Sequence, residues 1–181
     1  MNDAVYTNNP KLIMVTGGQR SGKSVFAENL ALSMSHRPVY LATARIYDEE
    51  MRRRVELHRE RRHERWTNLE SPLFVSEAKL SSSDVVLLDC LTLLATNWFF
   101  ECQENADEAF AEIRRQIDAL LHNCASLIVV TNEIGLGGIS ANAMQRQFAD
   151  LQGRINQHVA TEADEVYLLI SGIPVKIKPQ Q

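Results

Sequence analysis

Cysteine is scarce in this 181-residue chain, and the three present, Cys90, Cys102 and Cys124, share no C-x-x-C spacing. An odd count without that spacing argues against both a disulfide framework and a zinc site, so reduced and partly buried thiols are expected. His36, His63, His122 and His158 form no metal-ligand pair at helical spacing. No run of 18 apolar residues exists and Met1 to Asn9 is polar, so neither a membrane span nor a signal peptide is expected, and a cytoplasmic protein is. A net charge of −4 gives no global attraction to nucleic acid or to an anionic membrane. Internal repeats, low-complexity segments, a Gly-x-Ser-x-Gly elbow, a Cys/His dyad and a paired-carboxylate motif are also missing. At 45% hydrophobic and 23% charged residues, the chain can bury one core but is too short for two large domains. A single domain over 1–181 is expected, with 1–10 a flexible extension.

What is there begins with Gly17-Gly18-Gln19-Arg20-Ser21-Gly22-Lys23-Ser24, which fits G-x-x-x-x-G-K-[ST]. A loop carrying Gly17 and Gly22 can turn backbone N–H groups toward an anion without Cβ clashes. Lys23 would reach the β/γ-phosphates, and Ser24 would offer its hydroxyl to Mg2+ where the helix N-terminus adds positive potential. The flanks suit a phosphate-binding loop of this kind. Leu12 to Val15 reads as a buried strand, while Phe26, Leu30 and Met34, with Ala27, Ala31 and Leu32 beside them, recur at helical spacing. A nucleoside triphosphate, ATP or GTP, is the expected ligand.

The βαβ rhythm continues along the chain. Strands are expected at Val39 to Thr43, Val85 to Cys90, Leu127 to Thr131, Val166 to Ile170 and Val175 to Lys178. Helices are expected at Leu91 to Phe100, Ala106 to Leu121 and about Asn142 to Ala160, the last after the Gly-rich loop 135–138. The stretch around Glu70-Ser71-Pro72 reads as a loop. Continuously apolar strands alternating with helices predict an α/β fold with a mostly parallel sheet and helices on both faces.

In such sheets ligands sit beyond the carboxyl ends of the strands, which selects the phosphate loop, Thr43, Asp89 and Asn132-Glu133. Asp89 follows four apolar residues, the Walker B pattern, in which a strand-tip carboxylate helps to hold Mg2+; the bland alternative is a helix cap. Glu133 can polarise a water or hydroxyl, or pair with an arginine. From Arg45 to Arg65 the chain carries eight of its fourteen arginines among interleaved carboxylates. For most of these a solvated helix laced with ion pairs is the reading. Met51, Val55, His58 and Arg62 nevertheless share one helical face, and its two apolar members turn that face inward. On spacing alone His58 is either a structural histidine or a nucleophile able to form a phosphoramidate beside arginines that stabilise the phosphoryl charge.

Taken together, these residues resemble the bifunctional adenosylcobinamide kinase / adenosylcobinamide-phosphate guanylyltransferase family. The resemblance runs through Val15-Thr16-Gly17-Gly18, the loop to Ser24, Tyr40 to Ala44, Glu50-Met51, Arg54-Val55 with His58-Arg59, and Trp66 with Glu70. It continues through Leu87 to Thr92, Thr96-Asn97, Thr131 to Gly137, Gly153 to Gln157 and Ser171 to Pro174. The R-[IV]-x-x-H-[RK] helix and the T-N-E-[IV]-G-x-G loop together are specific to it. The resemblance implies a RecA-like P-loop NTPase fold and two reactions at one nucleotide site: phosphorylation of the hydroxyl on the corrinoid's aminopropanol arm, then transfer of GMP from GTP with loss of pyrophosphate. It implies that a guanylylated histidine, here His58, carries the second reaction, with Lys23 and Asp89 catalytic. Nucleotide contacts fall by position on Gly17 to Ser24, Leu41, Ala42, Thr43, Arg59, Glu60, Arg61, Arg62, Glu70 and Asp89, and Mg2+ on Ser24 and Asp89. A homo-oligomer, a ring-like trimer, is implied too. Departures are Leu57, where some relatives carry a second histidine, and Gly138-Ile139-Ser140-Ala141, where many read Gly-Ile-Val-Pro. Two other readings remain: a monofunctional small-molecule kinase in which His58 only packs, and a non-enzymatic nucleotide switch or nucleic-acid module, which the acidic charge disfavours.

Overall fold

Apolar runs that stay apolar on both sides of the strand build the centre of the molecule. The computed structural model describes residues 10–45, 49, 52–53, 56 and 63–179. In chain order these hold β1 (Lys11–Gly17), α1 (Lys23–Met34), β2 (Val39–Ala42), β3 (Thr67–Glu70), β4 (Val85–Asp89) and α2 (Leu91–Glu101). There follow α3 (Ala106–His122), β5 (Ser126–Val130), α4 (Ala143–Glu162), β6 (Glu165–Ile170) and β7 (Ile173–Lys178). The strands form one sheet in the order β3-β2-β4-β5-β1-β6-β7. All neighbours are parallel except β6 and β7, which pair antiparallel across the Ser171-Gly172 turn. The expected α/β class and the mostly parallel sheet are therefore what the chain adopts.

Period-two alternation divides each strand between two cores. Leu12, Met14, Leu41, Val86, Leu88, Leu127 and Val129 point to one face, where α2, α3 and α4 cover them with Leu94, Phe99, Ile113, Ile117, Leu151 and Ile155. Ile13, Val15, Tyr40, Leu87, Ile128 and Val130 point to the other, which α1 covers. The residues of α1 that vanish from solvent are Ala27 and Ala31, whereas Phe26, Leu30 and Met34, on the expected stripe, are only partly buried. Caps fix the longer helices. Asn105 accepts from the N–H groups of Asp107 and Glu108 at the start of α3, and Asn142 accepts from Gln145 at the start of α4.

One strand differs from the sequence expectation. Thr67–Glu70, read as leading into a loop, is an edge strand paired to β2. Its alternation of half-buried and exposed positions, with Leu69 the one apolar residue, gives little hydrophobic signal. At the opposite edge β7 starts at Ile173 rather than Val175, because Pro174 needs no donor on an outer strand. The three cysteines are free and buried.

Candidate active site

Registers across the sheet bring Glu70, Ala42, Asp89, Val130 and Val15 into one row, so the chain leaves β3, β2, β4, β5 and β1 along a common rim. The phosphate loop rises from β1. Gly17 has φ 148°, and a Cβ there would lie 2.5 Å from the Leu169 carbonyl oxygen. Gly22 has φ 95°, and its Cβ would meet the Gly172 Cα at 3.2 Å. Both positions demand glycine on conformation and on space. The Gly172 N–H donates to the Ser21 carbonyl at 2.9 Å, which ties the loop to the β6–β7 turn.

Gly18, Gln19 and Arg20 form the exposed crest of this loop, Arg20 with φ 57°. Below them Lys23 is buried and its ammonium donates to the Gly18 carbonyl at 2.6 Å. Desolvation lowers the Lys23 pKa, against a partial upward pull from Cys90 and Asp89. The buried Ser21 hydroxyl has no hydrogen-bond partner among the described residues. The first helical bond of α1 runs from Phe26 N–H to Gly22 O, leaving the preceding amides at the helix start without an intrahelical acceptor. A lysine, an orphaned hydroxyl and these amides within one turn make a cradle for a polyanion.

Asp89 ends β4, half-buried, and Tyr40 donates its phenolic O–H to Asp89 Oδ2 at 2.8 Å. The bond fixes one carboxylate oxygen. Thr43, expected as a nucleotide contact, is wholly buried: its hydroxyl donates to the Cys90 carbonyl at 2.7 Å and accepts from the Cys90 N–H at 2.9 Å. Asn97 of α2 donates to the Thr43 carbonyl at 2.9 Å and to Pro72 O at 2.8 Å. Leu41 is equally buried, its side chain in the core under α2 to α4. Thr43 and Leu41 thus have side chains committed to the fold, and the Thr43 backbone is committed too, its N–H donating to Asp89 O at 3.3 Å and its carbonyl accepting from Asn97. Burial and Asp89 push the Cys90 thiol up to about 12, so it stays protonated.

A network that spacing did not reveal surrounds Glu133. Glu133 Oε1 accepts from the Thr16 hydroxyl at 2.7 Å and from Asn156 Nδ2 at 3.1 Å, and its N–H donates to Gly17 O at 3.1 Å. Asn156 Oδ1 in turn accepts from Thr131 Oγ1 and Gln152 Nε2, both at 2.8 Å. Among the described residues the Glu133 contacts are thus to a hydroxyl and an amide, not to an arginine. This carboxylate braces the strand that delivers Gly17 into the loop. Its neighbour Asn132 is held by Thr92 of α2, whose Oγ1 accepts from the Asn132 N–H at 3.0 Å.

The structure brings Gly17 to Ser24 and Asp89 together, with Glu70 exposed at the same rim on β3. His58, Arg59, Glu60, Arg61 and Arg62 lie outside the described residues. Of their segment, Glu49, Arg52, Arg53 and Glu56 are helical, and Arg52 pairs with Glu49 at 3.4 Å across i,i+3, as the ion-pair reading expects. Arg45 reaches Glu101 of α2 at 3.5 Å.

The chain as a whole is similar to known proteins. The family model described as "Cobinamide kinase / cobinamide phosphate guanyltransferase" matches residues 13–177. The chain is 40% identical over 181 residues to a "Bifunctional adenosylcobalamin biosynthesis protein CobU" of Escherichia coli, covering 92% of this chain and 99% of the relative. A protein of the same description from Salmonella typhimurium is 40% identical over the same shares. A "Bifunctional adenosylcobalamin biosynthesis protein CobP" of Pseudomonas aeruginosa is 34% identical over 168 residues, 91% of this chain and 96% of the relative.

Proposed function

The chain belongs to the cobinamide kinase / cobinamide phosphate guanyltransferase family, and from that premise we propose how its residues divide the two reactions. It is a bifunctional transferase of cobalamin biosynthesis, as its relatives are named. The observation that carries the reading is the cradle of Lys23, the Ser21 hydroxyl and the α1 amides facing the Asp89 strand tip, inside a family match that spans nearly the whole chain.

In the kinase step the corrinoid's terminal hydroxyl oxygen attacks the γ-phosphorus of ATP or GTP and gives up its proton to solvent. The bond to the β-γ bridging oxygen breaks and the nucleoside diphosphate leaves. Lys23 neutralises charge on the β/γ oxygens, and the loop amides orient them. In the transfer step a neutral His58 nitrogen attacks the α-phosphorus of GTP, pyrophosphate leaves, and a phosphoramidate forms. A phosphate oxygen of the corrinoid then attacks that phosphorus, the P–N bond breaks, and the imidazole returns to its neutral form. Arg59, Arg61 and Arg62 follow the nucleophile in sequence and supply the field for the transferred group; Glu60 and Glu70 serve nucleotide positioning.

The donor set fits Mg2+: the Ser24 hydroxyl and the Asp89 carboxylate are hard oxygen ligands, and two protein oxygens suit an ion that keeps water and phosphate in its shell. Bound there, it would neutralise phosphate charge during both reactions. The substrates, GTP, ATP and a corrinoid, belong to the cytoplasm, and a homotrimer is the proposed assembly. In keeping with an assembly, edge strand β7 turns Ile173, Val175 and Ile177 to solvent.

Incubating the protein with adenosylcobinamide, GTP and Mg2+ and resolving the corrinoids by chromatography tests the reading. Sequential appearance of a phosphorylated and then a GDP-bearing corrinoid, with one pyrophosphate per transfer, is expected. Accumulation of the phosphorylated species alone would reduce the protein to a kinase.

A further inference from the structure

The phosphate loop and its neighbours account for the nucleotide, but the acceptor also needs a place to bind. A groove of about 610 Å3 opens between α2, the 134–140 loop and the first half of α4. Its size lies within the range of small-molecule sites. Ile134 and Gly135, the two residues directly after Glu133, line it, and Glu133 itself donates to Gly17 O. The groove therefore starts at residues that follow the β5 strand end. From the other side, α2 contributes Thr96 and Phe100 to the groove while its Thr92 and Asn97 hold Asn132 and Thr43 at the rim.

The chemistry of the lining says what fits. The walls are apolar and aromatic: Phe99 lies with its ring centroid 5.7 Å from both Phe100 and Phe148, and Met144 and Ile139 extend this surface. Phe100 is 52% exposed and Ile139 92%, an unusual outlay of apolar surface beside an active site. The rim holds neutral and acidic groups, among them Ser140, Gln145 and Asp150. The one cationic side chain in the lining, Arg146, spends a guanidinium nitrogen on the carbonyls of Ser140 at 3.0 Å and Ala141 at 2.8 Å. Those bonds use one of its three nitrogens, so the guanidinium keeps its charge and further donors at the rim. The groove suits a broad apolar body that carries polar arms.

We propose that this groove docks the corrin macrocycle of the acceptor, with its methyl-bearing edge on Phe100 and Ile139 and its carboxamide arms toward Ser140, Gln145 and Asp150. The arm that bears the reacting hydroxyl then runs past Ile134 to the phosphate loop. The proposal rests on the family reading of the acceptor as a cobinamide and extends it by naming where the ring sits.

The test uses the full chain with Ile139→Asp, Phe100→Ser and their combination, positions exposed enough that folding does not depend on them. Adenosylcobinamide is varied at saturating GTP, protein labelling by GTP alone is measured in parallel, and the assembly mass is followed by light scattering. The double variant is expected to raise the KM for the corrinoid at least tenfold while label uptake from GTP alone stays within twofold. A corrinoid KM within twofold of wild type would overturn the proposal. So would an equal loss of GTP-only labelling, which assigns these residues to the nucleotide site, or a change of assembly mass, which assigns the groove to contacts between copies. If the wild type takes label from GTP but turns over no cobinamide, the acceptor reading itself fails and the proposal falls with it, an outcome visible in the control and distinct from failure of the groove alone.

Discussion

The two faces of the sheet are packed in different ways. On one, three helices bury large side chains: Leu94 and Phe99 from α2, Ile113, Ile117 and Leu120 from α3, Leu151 and Ile155 from α4. On the other, α1 buries just the small Ala27 and Ala31 and the stem of Lys23. The first face supplies most of the apolar burial and hence most of the stability. The second gives up side-chain bulk so that α1 can lie close to β1 and β4 and bring the phosphate loop against the strand ends. Stability and chemistry are thus separable by face, and substitutions on either side should tell them apart.

The largest effect belongs to Lys23→Ala. Losing a preorganised donor of this kind lowers rate by about 10²–10³-fold, and both the kinase and the transfer reactions should fall by that order in steady-state assays. Because Lys23 is held in the fold against a desolvation penalty, its thermal midpoint should stay level or rise. Ile113→Ala makes the opposite pattern: a fully buried aliphatic on α3 costs about 2–5 kcal/mol in denaturant titration, with GTP affinity unchanged. Ala31→Leu sharpens the contrast. Overpacking under α1 costs about 1–3 kcal/mol, and here the displaced helix should also weaken GTP binding, read by calorimetry. Glu133→Ala removes the acceptor for the buried Thr16 hydroxyl and one of the two acceptors of Asn156 Nδ2, and a buried hydroxyl left unsatisfied costs about 1–3 kcal/mol; Glu133→Gln, which keeps a carbonyl acceptor, should recover most of it.

The smallest effect is a pH dependence far from the nucleotide. Hydrogen bonds from Lys11, Tyr167 and Lys176 hold the Glu165 carboxyl at about 2, below its ordinary 4.5. On acidification the unfolded chain takes up this proton first, so the contribution is intact above pH 4.5 and lost as pH falls toward about 2. Glu165→Gln should flatten that part of the stability profile in acid titrations of the unfolding midpoint.

How much of this the sequence declared follows the same division. The apolar strands β1, β4 and β5 and the glycine spacing of the phosphate loop are local signals, and the structure has them within a residue or two of their expected bounds. β3 was not legible, because Thr67-Asn68-Leu69-Glu70 on a sheet edge has one apolar residue to mark it. The stripe on α1 misled in detail: small residues, not Phe26 or Leu30, make the close contact, and periodicity counts apolar character rather than size. Thr16, Glu133 and Asn156 could not be joined from sequence, since polar bonds between residues 117 and 23 positions apart leave no local pattern. Tyr40 on Asp89, 49 positions apart, is another bond between distant residues. His58 is the reverse case: a helical stripe and a family motif single it out, it lies outside the described residues, and its role is the one we propose.

That role is the central claim, and one experiment addresses it. The protein is incubated with Mg2+ and GTP labelled in turn at the α- and the γ-phosphate, without corrinoid, then denatured, with His58→Asn run beside the wild type. The account predicts acid-labile, base-stable α-label on the wild-type chain, none from the γ-position, and none of either on the variant. Tight GTP binding with no retained label, or α-label that survives in His58→Asn, would contradict it.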